Sequence, residues 1–130
     1  MTSVTKQPIH TDRAPAPGGA YSQGLRVGDF IFTAGQGPWD PVTRQVIGNT
    51  IEEQTVRTLE NIRAILESAG ASLADVVKAT VYLSDLSLFP RFNQVYAGYL
   101  LDPKPVRTTV GSQLFGILVE IDAVAYVGKK

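Results

Sequence analysis

Apolar positions recur at a helical spacing in the middle of the chain. Thr50 and Glu53 form the pattern of a capping box, in which each side chain accepts a hydrogen bond from the other residue's backbone N–H. Gly70 is placed to end such a helix, because glycine readily adopts the positive φ that follows many helices. The pattern predicts a helix over 51–69, with one face formed by Ile51, Thr55, Leu59, Ile62, Leu66 and Ala69.

Three strand-like segments precede this helix. Residues 8–11 are typical of a short edge strand, and residues 21–27 alternate as a strand does. Residues 30–36 are rich in β-branched and aromatic side chains. Because Gly28-Asp29 is a turn signal between the last two segments, we expect them to form a hairpin.

Three more strands and a second helix are predicted after residue 70. A strand over 76–83 follows a capped turn at 72–75, and strands over 106–111 and 117–127 come last. In the first of these strands, one face is predicted to carry Val77, Ala79, Val81 and Leu83.

The second helix is predicted to begin at a cap formed by Asp85 or Ser87 and to reach Leu100. Pro90 falls in its first turn, where proline is tolerated. An aromatic stripe at helical spacing is typical of a buried helix face. Here the stripe consists of Phe89, Phe92, Val95, Tyr96 and Tyr99.

The element order β-β-β-α-β-α-β-β predicts an α+β fold with two helices on one face of a mixed sheet. Neither 30–36 nor 76–83 has a clearly polar face, and no third layer of helices remains to cover the other side of the sheet. We therefore expect the chain to self-associate through that side.

Composition narrows the range of functions. A length of 130 residues suits a single domain over 1–130, in which we expect 1–6 to form a flexible tail. Twelve basic and twelve acidic residues give zero net charge, so we expect neither nucleic acid nor a membrane as a partner. No apolar run approaches the roughly 18 residues that cross a membrane, and we expect no signal peptide.

The residue inventory also limits the chemistry. The absence of cysteine excludes disulfides, thiolate nucleophiles and cysteine-bound metals, and it fits a cytoplasmic location. His10 is the one histidine, and the glycine-rich nucleotide motifs and the zinc-protease motif are missing. We therefore expect no metal and no cofactor, and catalysis would depend on Arg, Glu, Tyr, Ser/Thr and backbone groups.

Two residues near the last strands have the chemistry to bind and transform a small anion. Arg107 follows a proline-bounded turn, and a guanidinium can hold a carboxylate through two parallel hydrogen bonds. Glu120 lies in an apolar strand, where a carboxyl with a raised pKa could move a proton near neutral pH. Asp122 shares its strand face, and two partly buried carboxylates would raise each other's pKa.

Structural roles remain open for each candidate residue on this pattern alone. Arg107 could form an ordinary ion pair, and Glu120 could lie on a solvated face. Tyr21 could be a packing residue, and Asn93 could be a surface residue or a capping partner.

Seven segments of the chain, each weak alone, form a more specific pattern in their order. They are Ala20-Tyr21-Ser22-Gln23, Phe32-Thr33-Ala34-Gly35-Gln36, the helix over 50–69 closed by Ala69-Gly70, Val76-Val77-Lys78-Ala79-Thr80-Val81-Tyr82-Leu83, Phe92-Asn93-Gln94-Val95-Tyr96, Pro105-Val106-Arg107-Thr108-Thr109-Val110 and Val119-Glu120-Ile121. Together they resemble the YjgF/RidA family of enamine/imine deaminases, over about residues 7 to 127.

The resemblance implies a chorismate-mutase-like α+β fold and a homotrimer with its sites in the clefts between subunits. It implies hydrolysis of 2-imino acids, such as 2-iminopropanoate and 2-iminobutanoate, to 2-keto acids and ammonia. Pyridoxal-phosphate dehydratases release these reactive imines, and the deaminase limits the damage that they do.

The resemblance also implies roles for individual residues. Arg107 would bind the substrate carboxylate, and Glu120 would position or activate the attacking water. Tyr21 would line the pocket and help to orient the substrate. The other substrate contacts would come from the backbones of Gly35 and Thr109 and from Asn93 at the pocket edge.

Three features depart from the family pattern. Ala34 stands where the family commonly has serine, and Thr109 stands where it often has cysteine. The loop between Arg107 and Glu120 is shorter than usual, with Leu114-Phe115-Gly116 where Leu-Pro is common. These differences bear on the substrate more than on the reaction class, and they suggest a paralogous branch.

Two other functions remain open. A protein of the same fold could bind a small carboxylate without turnover, as a binding or chaperone-like module. An endoribonuclease, an activity also attached to this family, is less favoured because a chain of zero net charge lacks the basic stripe that RNA binding uses.

Overall fold

The computed structural model of the chain describes residues 5–128. Its strands are β1 (Lys6–Ile9), β2 (Gly24–Val27), β3 (Phe30–Thr33), β4 (Val76–Leu83), β5 (Val106–Gly111) and β6 (Val119–Tyr126). They form one sheet in the order β1-β2-β3-β6-β4-β5. Strands β4 and β5 run parallel, whereas the other neighbouring strands are antiparallel.

Two helices, α1 (Ile51–Ser68) and α2 (Phe89–Tyr99), cover one face of this sheet. Helix α1 packs against β6, β3 and α2. The core lies between the helices and the sheet, and its large side chains include Ile31, Leu59, Ile65, Leu83 and Phe92. The predicted α+β fold, with two helices on one face of a mixed sheet, is confirmed.

Helix α1 begins as its sequence predicts. The Thr50 hydroxyl accepts a hydrogen bond from the Glu53 N–H at 3.1 Å, and the Glu53 carboxylate accepts one from the Thr50 N–H at 3.3 Å. The helix ends at Ser68, and Gly70 follows with φ +81°. These local signals define both ends, because they satisfy backbone groups that the helix itself leaves free.

The prediction for the faces of β4 is wrong at its first two residues. Val76 is buried and Val77 is 43% exposed, whereas the sequence predicts Val77 on the same face as Ala79, which is buried. A β-bulge causes the change, since Val76 pairs with Ala125 while Lys78 pairs with the adjacent Val124. The extra residue on β4 reverses the alternation before Ala79.

Several predicted bounds also shift. The strand expected over 21–27 begins at Gly24, and the one expected over 30–36 ends at Thr33. Asp85 caps a short 3₁₀ turn, Leu86–Leu88, that precedes α2. The predicted tail over 1–6 falls mainly on residues 1–4, which lie outside the described part of the chain, and Lys6 already belongs to β1.

The sheet face turned away from the helices is semi-apolar, as expected. Phe30, Phe32 and Tyr126 lie on it, each more than two-fifths exposed, and the rings of Phe30 and Tyr126 are 5.1 Å apart. Within residues 5–128, no helix has the length and apolar character of a membrane span.

Removal of the α1 cap should destabilise the protein measurably. We expect Thr50→Ala to lower the free energy of unfolding by about 1 kcal/mol, because the Glu53 N–H then loses its acceptor. Urea unfolding at a single protein concentration measures the change.

The matched control is Ser22→Ala, which removes an exposed hydroxyl. It should leave the free energy of unfolding within about 0.5 kcal/mol of the original. Equal losses in the two variants would contradict the role assigned to the cap.

Candidate functional site

Arg107 lies on the face of the sheet that the helices cover. It pairs with Ala79 on β4, which is buried beneath the helices. Its guanidinium carbon lies 5.2, 6.0 and 4.8 Å from the ring centroids of three α2 residues, which we call the aromatic shelf: Phe89, Phe92 and Tyr96. Stacking on aromatic faces suits a guanidinium, which carries charge on a flat and weakly hydrated group.

One hydrogen bond orients this guanidinium within the chain. The Arg107 Nη1 donates to Asn93 Oδ1 at 2.7 Å, and Asn93 projects from the middle of α2. Among residues 5–128 no carboxylate forms an ion pair with Arg107. A structural ion pair within this part of the chain therefore does not explain the position of the arginine. A guanidinium has five N–H donors, so others remain free to bind an anion.

The turn between α2 and β5 brings Arg107 beneath the aromatic shelf. Lys104 donates from Nζ to the carbonyl oxygens of Ala97 and Leu100 at 2.7 and 2.6 Å. A lysine at this position satisfies carbonyls that a helix end leaves free, and its charge suits the negative end of the helix dipole.

Two buried hydroxyls accompany Arg107. Thr109 lies two residues further along β5, and its Oγ1 has no hydrogen-bond partner within the described chain. The Tyr96 hydroxyl likewise has none there. Burial raises the pKa of Tyr96, and the Arg107 charge opposes that rise. We call Arg107, Asn93, Thr109 and the aromatic shelf the arginine half-site.

Glu120 lies on the opposite face of the sheet. It pairs with Tyr82 on β4, while its neighbours Val119 and Ile121 point into the core. Burial raises the pKa of Glu120, and the charge of Asp122 adds to the rise. A half-buried carboxyl of this kind is suited to exchange a proton nearer neutral pH than an exposed one.

An irregular segment between β3 and β6 brings Gly35 against Glu120. Phe32 pairs with Val124 and Gln36 pairs with Ile121, so three residues on one side face two on the other. A Cβ on Gly35 would lie 3.0 Å from the Glu120 carboxyl carbon and would overlap one of its oxygens. Glycine at position 35 therefore permits this approach, and a side chain there would displace the Glu120 carboxylate.

A cleft of about 220 Å³ adjoins Gly35. Tyr21 lines it and is 52% exposed, and its hydroxyl accepts a hydrogen bond from the Gly18 N–H at 3.0 Å. We call Glu120, Gly35 and Tyr21 the glutamate half-site. The lining of the cleft consists of Pro15, Ala16, Gly18, Tyr21, Gly35, Gln36, Gly37, Trp39 and Arg44.

The buried side-chain amides of Gln23 and Asn61 hold the loops that form this cleft. The sequence pattern did not identify either residue as part of the site. The Gln23 side chain is 1% exposed, accepts from the Thr11 N–H at 2.7 Å, and donates to Thr11, Ala14 and Pro15 carbonyls at 3.0, 3.2 and 2.9 Å. It therefore secures the loop that carries Pro15 and Ala16.

Asn61 secures the part of the cleft that is formed by Gly37 and Trp39. Its Nδ2 donates to the carbonyls of Gly37 and Trp39 at 2.9 and 3.0 Å, and its Oδ1 accepts from Arg57 at 2.8 Å. The signal in the sequence was an amide next to the apolar stripe of α1, where a buried polar group needs partners.

The two half-sites cannot meet within one chain. Directly paired residues on adjacent strands share a face, and the series Arg107, Ala79 and Ala123 lies under the helices. Glu120 and Tyr82 point the other way. The sheet itself therefore separates the guanidinium from the carboxylate.

Known proteins provide an independent comparison. The profile of the family described as endoribonuclease L-PSP matches residues 11–127. A RutC family protein of Pyrococcus abyssi is 50% identical over 125 residues, which are 95% of this chain and 98% of that protein. The chloroplastic Reactive Intermediate Deaminase A of Arabidopsis thaliana is 35% identical over 126 residues, which are 95% of this chain and 67% of that protein.

A solved structure agrees with these sequence matches. The crystal structure of RidA from an Antarctic Psychrobacter bacterium is similar with a TM-score of 0.88 and 41% identity, over 93% of this chain and 99% of that one. The chain therefore belongs to the endoribonuclease L-PSP family, which is the YjgF/RidA family that its sequence segments resemble.

The cleft should depend on Asn61 for its stability. We expect Asn61→Ala to lower the free energy of unfolding by about 1–3 kcal/mol, because it leaves the Gly37 and Trp39 carbonyls without their donor. Urea unfolding measures the loss. Asn49→Ala, which truncates an exposed amide, is the matched control and should change stability by less than about 0.5 kcal/mol. A neutral Asn61→Ala variant would show that the loop does not depend on this side chain.

Proposed function

We propose that the protein is a hydrolytic deaminase of 2-imino acids. The reaction is R–C(=NH)–COO⁻ + H₂O → R–C(=O)–COO⁻ + NH₃. The imine carbon is already electrophilic, so a positioned water is a sufficient nucleophile. An arginine, a glutamate and a tyrosine supply the binding and proton transfer that this reaction needs.

The observation that carries this proposal is the unpaired guanidinium of Arg107. It is held by Asn93 and by the aromatic shelf, and within residues 5–128 no carboxylate neutralises it. In the proposed complex it binds the substrate carboxylate through two parallel hydrogen bonds. Anchoring that group orients the neighbouring imine carbon for attack.

Glu120 would move the proton. Its carboxylate takes a proton from the attacking water, and the protonated acid then gives a proton to the leaving nitrogen. Burial and Asp122 raise the pKa of Glu120, which makes it a stronger base than an exposed glutamate. Such a group can contribute roughly 10²–10⁴-fold to the rate. Tyr21 and the Gly35 backbone would orient the substrate beside it.

The proposed enzyme is a homotrimer whose sites lie between subunits. A second copy is needed because Arg107 and Glu120 occupy opposite faces of the sheet. The exposed Phe30, Phe32 and Tyr126 give the uncovered face an apolar surface for that contact. A cysteine-free chain suits the cytoplasm, where we propose that the enzyme acts without metal, cofactor or nucleic acid.

Turnover separates this proposal from a binding module of the same fold. A dehydratase can generate 2-iminopropanoate in the assay, and its decay is followed with and without the protein. We expect the protein to accelerate the decay, and we expect Arg107→Ala to reduce kcat/KM at least about 100-fold, since both orientation and charge pairing are lost.

Arg26→Ala is the matched control. Arg26 lies on β2, where its Nε donates to the Gly28 carbonyl at 3.0 Å, away from both half-sites. This variant should retain the original rate. If the unaltered protein accelerates no small imine, the enzyme proposal fails and a binding function is favoured.

A further inference from the structure

The cleft beside the glutamate half-site has more room than a small substrate needs. Its volume is about 220 Å³ in one chain, and Tyr21 and Gly35 form part of its wall. The side chain of 2-iminopropanoate is a single methyl group. A substrate held next to Glu120 could therefore extend a longer side chain past Tyr21 into the cleft.

Arg44 is the one charged residue of this lining. Most of the other lining residues are apolar or glycine, including Pro15 and Trp39. Among residues 5–128, the Arg44 guanidinium has neither a hydrogen-bond acceptor nor an ion-pair partner. The cleft thus combines walls suited to methylene groups with a free cation.

The backbone presents Arg44 in an unusual conformation. Its φ is +62°, and it is the only non-glycine residue with positive φ in the described part of the chain. The loop is held by Asp40, whose carbonyl accepts from the Arg44 N–H at 2.9 Å and whose carboxylate accepts from the Val42 and Thr43 N–H groups at 2.9 and 2.7 Å. Glycine would fit this position with less strain, so the turn holds an arginine side chain at the cleft at some cost in backbone energy.

We propose that Arg44 binds a second anionic group at the end of the substrate side chain. The preferred substrate is then a dicarboxylic 2-imino acid, such as 2-iminoglutarate. This inference rests on the proposed function, in which Arg107 binds the first carboxylate. Arg44 pairs with the distal carboxylate, and Trp39 and Pro15 contact the methylenes between them.

The test compares two substrates on each variant. Amino-acid oxidases generate 2-iminoglutarate from glutamate and 2-iminopropanoate from alanine, and semicarbazide trapping follows their decay. We expect Arg44→Gln to lower the ratio of kcat/KM for 2-iminoglutarate over 2-iminopropanoate by about tenfold or more, mainly through KM. Arg44→Lys, which keeps the charge, should retain part of the ratio, and the control Arg26→Gln should retain all of it.

A binding measurement separates this inference from the proposed function. Calorimetric titration of 2-oxoglutarate and 2-oxobutanoate needs no turnover. We expect Arg44→Gln to weaken 2-oxoglutarate about tenfold more than 2-oxobutanoate. An unchanged substrate ratio and unchanged relative affinity would overturn the role of Arg44, even if 2-iminopropanoate is hydrolysed. Loss of selective 2-oxoglutarate binding in a protein without turnover would support Arg44 and overturn only the deaminase.

Discussion

The alternation of side chains across a β-sheet is the constraint on which the candidate site depends. Arg107 pairs with Ala79 and therefore points toward the helices, whereas Glu120 pairs with Tyr82 and points toward the uncovered face. No rotamer change in one chain brings these two groups together through the sheet. If they act on one substrate, the acting unit contains at least two copies, and the apolar uncovered face gives them a reason to associate.

Interactions within the chain hold Arg107 and the loops of the cleft in place. The aromatic shelf and Asn93 orient Arg107, and buried amides such as Gln23 and Asn61 secure the loops of the cleft. A preorganised site gains affinity because less conformational freedom is lost when a substrate binds. If the two half-sites act on one substrate, association of the copies has to bring these two surfaces into register.

The sequence best predicts the features that are determined by residues close together in the chain. The capping box of Thr50 and Glu53 and the following Gly70 are local, so α1 was predicted closely. The bulge at Val77 depends on pairing between β4 and β6, which are distant in the sequence, so the prediction is wrong for Val76 and Val77. Arg107 and Glu120 are recognisable as candidates by residue type and sequence context. Their placement on opposite faces of the sheet could be learned only from the pairing of the strands. The hydrogen bonds of the Asn61 side chain could not be predicted, because they depend on where the loop carbonyls lie.

Mixing two inactive variants tests the shared site most directly. Arg107→Ala and Glu120→Gln chains with different affinity tags are produced together, and assemblies carrying both tags are purified and assayed on 2-iminopropanoate. A site between copies can combine an intact Arg107 from one chain with an intact Glu120 from the next. A trimer that carries both tags has one such intact site among its three, so about a third of the original activity per chain is restored. Mixed assemblies no more active than either variant alone would contradict a site shared between copies.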